Sequence, residues 1–366
     1  MLKIGITGIE GLIGWHLHAF LYGQPNVQVI KANRDTFAKQ EKLNEFVNAC
    51  DVIVHLAGMN RGDENEVFAT NIRLTDDLIA ACKRFQCKPH IIFSSSTHIY
   101  RDTTYGKSKN ICTERFLELS SQSGALFTNL ILPNVFGECG KPFYNSVVST
   151  FCFQIANRQE PKIVNDITTE QVHAQQVART IYGIINTYKV GNINLDGAHI
   201  NVSELLIKIT NFANLYQQHI IPDLRNEFDL YLFNTYRSYL YPDKYPISAA
   251  LNIDNRGTLF EAVKSLNGGQ TFISTTKPGI TRGNHYHTKK FERFFVISGQ
   301  AEIRIRKLFS NKIETFSVNG EMPQYIDIPT LHTHNITNIG NGELITLFWS
   351  HEIFNPACPD TYAEIV

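Results

Sequence analysis

The strongest constraint on this chain is a set of three histidines and a glutamate that are spaced to meet at one point. His285 and His287 are two residues apart, so in a strand their imidazoles face the same side. Glu292 would approach from the next strand, and His334 from a strand that is distant in sequence. Three imidazoles and a carboxylate suit a divalent metal such as zinc, nickel or iron, and zinc is the favoured ion.

The glycines around these residues complete a longer pattern. It reads Gly279-x5-His285-x-His287-x4-Glu292-x6-Gly299, followed by residues 329–338 around His334. This resembles the two-part signature of the cupin superfamily, which implies a small all-β barrel with the four residues as metal ligands. Leu331 stands where that family usually has glycine, and His332 is a further imidazole that could compete as a ligand. Unrelated surface or core histidines are the alternative, which the complete spacing disfavours.

The start of the chain predicts a dinucleotide-binding unit. A buried strand, Leu2–Thr7, is followed by glycines and then by a helix over residues 15–21. Gly8 makes the tight turn, Gly11 lets the backbone approach a pyrophosphate, and Gly14 allows close packing of helix on strand. N–H groups at the helix N-terminus bind the phosphates. The predicted cofactor contacts here are Thr7, Gly8, Gly11, Leu12, Ile13 and Gly14.

The second strand, Val27–Ala32, ends where the ribose of the cofactor is expected. Arg34 can bind the 2′-phosphate of NADP, whereas an acidic residue would bind the 2′-hydroxyl of NAD. The sequence therefore favours NADP(H). Asp35 beside Arg34 leaves an exposed ion pair between the two as the alternative.

Further along, a tyrosine and a lysine have the spacing of a proton-transfer pair. Strands over residues 51–58 and 91–96 alternate with helical stretches, which indicates a doubly wound parallel α/β sheet. Tyr105 and Lys109 lie one helical turn apart, and the ammonium is expected to lower the pKa of the phenol. Tyr105 would exchange a proton with a carbonyl oxygen, to which Ser96 would donate a hydrogen bond.

This ordered set resembles the extended branch of the short-chain dehydrogenase/reductase family. The resemblance implies catalysis by Ser96, Tyr105 and Lys109, with Tyr105 and Lys109 also contacting the cofactor. It implies adenine-side contacts from Asp51, Leu56 and Ala57, and a substrate contact from Asn134, which lies in the segment that flanks the nicotinamide. Only eight residues separate Ser96 from Tyr105, so a neighbouring domain or subunit would have to close the site.

Two further polar residues precede an apolar stretch at residues 147–155. Asn145 and Ser146 could hydrogen-bond the nucleotide sugar, or they could be a loop residue and a helix N-cap. His173 and Gln176 could likewise only cap a helix that runs to Asn186.

Composition excludes several classes of function. Lys and Arg number 34, as do Asp and Glu, so neither nucleic-acid binding nor membrane-surface binding is indicated. Seven cysteines without a Cys-x-x-Cys pair indicate reduced thiols, and the N-terminus reads as a strand and not as a signal peptide. No apolar run is long enough for membrane insertion. We therefore expect a cytoplasmic protein.

The order of the two parts indicates a joint function. Turn residues predict a boundary between a reductase domain, 1–243, and a metal-binding cupin domain, 244–366. Together with the strings at residues 142–148, 277–285 and 359–362, this order resembles the bifunctional CapF enzymes of bacterial surface-polysaccharide synthesis. The resemblance implies C3 epimerisation of a UDP-linked 4-keto-6-deoxy-N-acetylhexosamine, then reduction at C4 with NADPH to UDP-N-acetyl-6-deoxy-L-talosamine. That product leads to UDP-N-acetyl-L-fucosamine, and the family suggests a homodimer.

Two other functions remain open at the level of sequence. The cupin could be a non-catalytic sugar-binding or dimerising module beside a reductase, or the chain could be a cofactor-binding regulator without turnover. The metal could act on the substrate or could be structural.

Overall fold

The chain forms two compact units in this computed structural model, which describes residues 1–255 and 257–366. The first unit comprises Met1–Thr150 and Asn165–Val202, and the second comprises Phe151–Val164 and Ser203–Val366. Residues 203–243, which the sequence assigned to the first domain, therefore pack in the second unit. The boundary at 243/244 stays a prediction about where the second family begins.

The first unit alternates strands with helices. Its strands are β1 (Leu2–Thr7), β2 (Val27–Ala32), β3 (Val52–His55), β4 (His90–Ser96), β5 (Phe127–Leu132), β6 (Asn134–Phe136), β7 (Thr168–His173), β8 (Gly191–Asn194) and β9 (Ala198–Asn201). Its helices are α1 (Leu12–Tyr22), α2 (Arg34–Ala38), α3 (Gln40–Ala49), α4 (Glu64–Phe85), α5 (Thr104–Ser123), α6 (Val147–Ala156), which continues into the second unit, and α7 (Ala174–Thr187).

The main sheet of this unit is parallel, in the order β2-β1-β3-β4-β5-β8. Successive residues of β3 point to opposite faces, so Val54 joins a core with α1 and α7, whereas Ile53 joins a core with α3, α4 and α5. Because both faces are covered by helices, the central strands β1, β3, β4 and β5 are almost entirely buried, whereas the edge strands β2 and β8 carry exposed polar residues. The predicted doubly wound α/β sheet is confirmed.

The second unit begins with helices and continues with strands. The helices are α8 (Val202–Gln217) and α9 (Glu227–Ser238). The strands are β10 (Ile220–Ile221), β11 (Ile247–Ser248), β12 (Leu251–Asp254), β13 (Gly257–Phe260), β14 (Lys264–Ser265), β15 (Gln270–Thr276), β16 (Thr281–Tyr286), β17 (Glu292–Ser298), β18 (Gln300–Lys307), β19 (Ile313–Asn319), β20 (Gln324–Ile328), β21 (His332–Asn338), β22 (Leu344–Ser350) and β23 (Tyr362–Ala363).

Two antiparallel sheets dominate this unit among the described residues. One has the order β11-β20-β17-β22-β15 and the other β19-β18-β21-β16-β23. The predicted antiparallel strands are confirmed. Closure of the sheets into a cupin barrel stays a prediction.

A buried ion pair ties the helices of this unit to its strands. Arg293 on β17 donates to Asp327 on β20 at 2.7 and 2.9 Å, and both side chains are fully buried. Tyr216 of α8 donates to the same carboxylate at 2.5 Å, and Arg237 of α9 donates to the carbonyl of Ile328 at 3.1 Å. This network explains why α8 and α9 pack with the C-terminal strands.

No helix in the described part of the chain is both long and apolar enough to cross a membrane.

Candidate active sites

The glycine loop between β1 and α1 is held against the loop that follows β3. The hydroxyl of Thr7 accepts hydrogen bonds from the N–H groups of Leu56 and Ala57, both at 3.1 Å. Gly8 has φ +69°, a conformation that favours glycine, and a Cβ there would lie 2.8 Å from the nitrogen of Ala57. The structure thus brings together two loops that were predicted to bind the cofactor.

Gly14 is needed for packing within the loop itself. A Cβ at this position would lie 2.7 Å from the Cα of Ile9, and closer still to the carbonyl oxygen of Gly8. At Gly11 the nearest neighbour, the same oxygen, would be 3.3 Å away. Gly11 therefore leaves the backbone open at the N-terminus of α1, where Leu12 and Ile13 begin the helix.

Asp51 lies at the wrong end of its strand to contact the cofactor, so this prediction is corrected. Its carboxylate accepts a hydrogen bond from the backbone N–H of Lys3 at 2.8 Å. In the parallel register Ile4 is opposite Val52 and Thr7 is opposite His55. Asp51 is therefore level with the start of β1, about 13 Å from the glycine loop at roughly 3.3 Å per residue.

Arg34 is exposed at the start of α2, just after the carboxyl end of β2. The neighbouring carboxylate of Asp35 pairs with Lys39 at 3.5 Å and with Lys42. The structure therefore does not show the alternative Arg34–Asp35 ion pair, because the carboxylate of Asp35 pairs with Lys39 and Lys42 instead.

Tyr105 and Lys109 lie on one face of α5, with the ammonium of Lys109 5.7 Å from the centre of the phenol ring. Lys109 is buried, and its Nζ donates to the carbonyl oxygen of Ser94 at 2.9 Å. Thr103 caps the helix by accepting from the N–H of Gly106 at 3.0 Å. Tyr105 is therefore held in the first turn of α5, beside the end of β4.

The protonation of this pair differs from the prediction. Burial raises the pKa of Tyr105 to about 12 and lowers the pKa of Lys109 to about 8. The expected lowering of the Tyr105 pKa by Lys109 is not seen in this structure, because desolvation of the phenol raises that pKa and the ammonium of Lys109 binds the carbonyl oxygen of Ser94. A protonated phenol at neutral pH is the form that can donate a proton.

Ser96 ends β4 and caps the short 3-10 helix that follows. Its hydroxyl oxygen accepts a hydrogen bond from the N–H of His98 at 3.3 Å. The imidazole of His98 packs edge to face on Tyr105, with ring centres 5.7 Å apart. His98 was not singled out from the sequence, where a lone histidine in a loop carries no signal.

The predicted substrate residues have structural roles in this structure. The amide of Asn134 donates to the carbonyl oxygen of Glu170 at 3.0 Å, and Asn134 is exposed on β6. The hydroxyl of Ser146 accepts from the N–H of Ser149 at 3.2 Å, which is N-capping of α6. Asn145 is exposed beside it. His173 and its partner Gln176 form a capping box at α7. Substrate contacts by Asn134, Asn145 and Ser146 stay predictions.

The second unit brings His285, His287, Glu292 and His334 together. One ligand atom from each lies within 4.8 Å of the others. His285 on β16 is opposite His334 on β21, His287 follows β16, and Glu292 begins β17 in the other sheet. A carboxylate oxygen of Glu292 lies 3.1 Å from Nε2 of His287 and 3.7 Å from Nε2 of His334.

The chemistry of this cluster fits a divalent metal. The Nε2 atoms of His287 and His334 are buried and make no hydrogen bond with any described residue. Burial lowers the pKa of His334 to about 4, so its imidazole is neutral at pH 7. Burial disfavours ionisation of Glu292, but the surrounding imidazoles, His287 foremost, hold its pKa well below the usual range. A carboxylate and a neutral imidazole are the forms that bind metals.

The structure explains the two unusual residues near His334, Leu331 and His332. Leu331 has φ +62°, so the left-handed turn that glycine usually supplies is formed by a buried leucine. His332 is directed elsewhere: its Nδ1 bonds the carbonyl oxygen of Thr330 at 2.8 Å, and its ring packs on Tyr241. It does not belong to the cluster of four.

Sequence reasoning missed the contacts that surround these four residues. His287 bonds through Nδ1 to the carbonyl oxygen of Asp360 at 2.6 Å, and the ammonium of Lys290 lies 3.6 Å from Glu292. Asp360 was visible only as part of a string typical of a family, which does not reveal a hydrogen bond made by its main chain.

Comparison with known proteins gives matches over both units. Residues 4–202 match the NAD dependent epimerase/dehydratase family, and residues 252–362 match the polysaccharide biosynthesis C-terminal domain. The chain is 31% identical over 368 residues to a Pseudomonas aeruginosa protein, UDP-2-acetamido-2,6-beta-L-arabino-hexul-4-ose reductase. That match covers 99% of this chain and 98% of the relative.

Solved structures give the same picture. The capsular polysaccharide assembling protein CapF of Staphylococcus aureus is 32% identical, with a TM-score of 0.66 over 99% of this chain and 100% of the other. A UDP-N-acetylglucosamine 4-epimerase from Bacillus cereus, 21% identical, has a TM-score of 0.51 over 58% of this chain and 82% of its own, which shows the fold of that part alone.

Proposed function

Because the chain belongs to the NAD-dependent epimerase/dehydratase family and is related over its whole length to the CapF proteins, we propose that it reduces the 4-ketone of a UDP-linked sugar with NADPH. The observation that carries the proposal is the pairing of Tyr105 with Lys109 on one face of α5 in a unit whose glycine loop is of the dinucleotide-binding type. The reductase named among the relatives supports it.

A bound nicotinamide cofactor would supply the hydride for the carbonyl carbon. Tyr105 donates its phenolic proton to the carbonyl oxygen, because its raised pKa keeps the hydroxyl protonated at neutral pH. Ser96, at the end of β4, donates a hydrogen bond to the same oxygen. Lys109 binds the cofactor ribose, and Thr7, Gly8, Gly11, Leu12, Ile13 and Gly14, with Leu56 and Ala57, hold its phosphates and adenine side.

The substrate we propose is a UDP-4-keto-6-deoxy-N-acetylhexosamine, and the product is UDP-N-acetyl-6-deoxy-L-talosamine. This product lies on the route to UDP-N-acetyl-L-fucosamine for a capsule or O-antigen. The name of the Pseudomonas aeruginosa relative, a reductase of a UDP-linked hexul-4-ose, supports the choice of sugar. The exposed Arg34 after β2 supports NADP over NAD.

For the second unit we propose a cupin that binds zinc and epimerises C3 of the same sugar before reduction. A ketone at C4 acidifies the hydrogen on C3, so an enolate can form and be reprotonated on the other face. Reduction of the ketone then removes this acidity and retains the new configuration. A metal held by His285, His287, Glu292 and His334 would supply Lewis acidity for the developing enolate.

One observation favours a second candidate for this unit. Four protein ligands fill a tetrahedral shell, which is the arrangement of structural zinc sites. The C-terminal unit would then be a non-catalytic module for sugar binding or dimerisation, beside a reductase.

We also propose a cytoplasmic homodimer. The free thiols of all seven cysteines support a reducing compartment. The short connection from Ser96 to Tyr105 supports a site that a partner helps to close.

The test is NADPH oxidation against a panel of nucleotide-linked 4-keto sugars, with metal content determined on the same sample. We expect turnover with the UDP-4-keto-6-deoxy amino sugar, and loss of about 10²-fold or more in Tyr105→Phe with cofactor binding retained. Turnover that is unaltered in Tyr105→Phe would contradict the reductase.

The epimerase is tested separately by exchange of the C3 hydrogen for deuterium from solvent, without NADPH. Wild type should exchange and His334→Ala should not. Exchange that is absent in the metal-loaded wild type would leave the reductase and favour the non-catalytic module.

A further inference from the structure

Asp360 contacts the metal cluster through its main chain. Its carbonyl oxygen accepts a hydrogen bond from Nδ1 of His287 at 2.6 Å. A proton on Nδ1 leaves the lone pair on Nε2, and that is the atom that faces Glu292 at 3.1 Å. The position of this carbonyl group therefore decides both the tautomer and the orientation of the His287 ring.

The side chain of Asp360 holds that carbonyl in place. One carboxylate oxygen accepts from the N–H and the hydroxyl of Thr288 at 3.0 and 2.6 Å. The other accepts from the N–H groups of Lys289 and Lys290 at 2.8 and 2.7 Å. Asp360 also has φ +42°, a left-handed conformation that is uncommon outside glycine, asparagine and aspartate.

The three residues bound by this carboxylate lie in the connection between two ligands. Residues 288–291 join His287 to Glu292, the first residue of β17, and the carboxylate binds the first three of them. Lys290 is held further by Thr361, whose hydroxyl lies 3.2 Å from the ammonium, and this ammonium is 3.6 Å from Glu292. A single carboxylate therefore organises the path of the chain from one ligand to the next.

The segment that carries Asp360 is anchored next to the cluster. Tyr362 on β23 pairs with Tyr286 on β16, and their rings stack with centres 5.1 Å apart. Tyr286 is fully buried and lies between His285 and His287 in sequence. The anchor thus holds β16, which carries His285 and leads directly into His287.

We infer that Asp360 is a positioning residue of the metal centre: its carbonyl selects the His287 tautomer, and its carboxylate fixes the connection from His287 to Glu292. This inference rests on the proposal that the four residues bind a metal. Hydrogen-bonding partners of metal-bound imidazoles commonly influence affinity about 10- to 100-fold.

The test uses the full chain with Asp360→Gly and Asp360→Asn, and Asp243→Ala, an exposed aspartate of the same unit, as the control. Glycine keeps the left-handed backbone and removes the carboxylate. Asparagine keeps one acceptor oxygen and loses the other. Zinc affinity is measured by competition with a chelator, and the geometry of the site by the visible spectrum of the cobalt(II)-substituted protein.

We expect Asp360→Gly to bind zinc about 10- to 100-fold more weakly and to alter the cobalt spectrum, with Asp360→Asn intermediate and Asp243→Ala equal to wild type. If Asp360→Gly does not fold, Asp360→Asn alone must show weaker binding and a changed spectrum. Wild-type affinity and spectrum in the folded variants, even with a lower melting temperature, would overturn the inference. A wild-type protein that binds neither ion would overturn the metal site itself and the inference with it, whereas reductase failure alone would leave both standing.

Discussion

At the scale of residues, burial shifts the pKa values of Tyr105 and Lys109. The phenol of Tyr105 and the ammonium of Lys109 are both desolvated, which raises the pKa of the first and lowers that of the second. Sequence spacing could predict that the two lie one turn apart. It could not predict which effect wins, because desolvation depends on what packs over them, including Ser94 and Phe93.

The lowered pKa of Lys109 makes the stability of the protein depend on pH. In the folded chain its pKa is about 8, below the ordinary value of 10.5, so the unfolded chain binds the proton more tightly. Stability therefore rises as pH increases between these values. We expect the free energy of unfolding of wild type, relative to Lys109→Met, to increase by about 2 kcal/mol between about pH 7.5 and about pH 10. Urea unfolding at both pH values measures this.

Lys83→Met, at an exposed lysine of α4, is the control: the free energy of unfolding of wild type relative to this variant should not increase over the same pH range. A difference between wild type and Lys109→Met that does not vary with pH would contradict the prediction.

Two glycines of the cofactor loop should respond differently to the same substitution. Gly14→Ala places a Cβ 2.7 Å from the Cα of Ile9, so we expect lower thermal stability and lost cofactor binding. Gly11→Ala meets its nearest neighbour at 3.3 Å, so we expect a folded protein with weaker NADPH binding. Thermal unfolding and fluorescence titration separate the two effects. Equal stability of the two variants would contradict the packing argument.

At the scale of elements, periodicity and spacing predict helices and strands well. They predict poorly which end of a strand a residue occupies and which distant residues an element contacts. The ligand strands were identified because His-x-His fits a period of two, and Gln270–Thr276 was identified because glycine and proline residues bound it. Asp51 was misplaced because adjacency to β3 does not say which end of the strand a residue occupies. The packing of α8 and α9 was not visible in the sequence, because Tyr216 and Arg237 bond Asp327 and the carbonyl of Ile328, which lie 111 and 91 residues away.

The packing of α8 and α9 predicts which fragment of the chain can fold. A fragment over residues 203–366 retains Tyr216 and Arg237 around the Arg293–Asp327 pair. A fragment over residues 244–366 lacks both, so the buried carboxylate of Asp327 loses the hydrogen bond from Tyr216, and hydrogen bonds to charged groups contribute about 1.5 to 3 kcal/mol. We expect cooperative thermal unfolding of the longer fragment alone. Equal cooperativity of the shorter one would contradict the role given to the helices.

At the scale of the whole molecule, the residues proposed for each reaction lie within one unit. The glycine loop, Tyr105 and Lys109 belong to the first unit, and the four residues proposed as metal ligands belong to the second. The sequence could predict this division of labour because each set has its own spacing. It could not predict the surrounding contacts, such as the one made by the carbonyl oxygen of Asp360, because every residue type carries a main-chain carbonyl group.

This separation predicts complementation between damaged chains. Tyr105→Phe should retain exchange at C3 and lose reduction, whereas His334→Ala should retain reduction of an epimerised ketone and lose exchange. An equimolar mixture should recover conversion of the unepimerised ketone to the reduced product, which is measured by mass spectrometry and NADPH oxidation. A mixture that recovers nothing, while both partial activities persist, would contradict the independence of the two centres.

The hydrogen bond from His287 to Asp360 also affects when an ion can be bound tightly during synthesis of the chain. Residues 359–363 are synthesised after the four proposed ligands, so the acceptor that orients His287 is the last of these groups to be made. We therefore expect tight loading of the ion to wait for residues 359–363. A truncated translation product that lacks them would hold zinc loosely, and cellular buffers would readily recover the ion from such a chain.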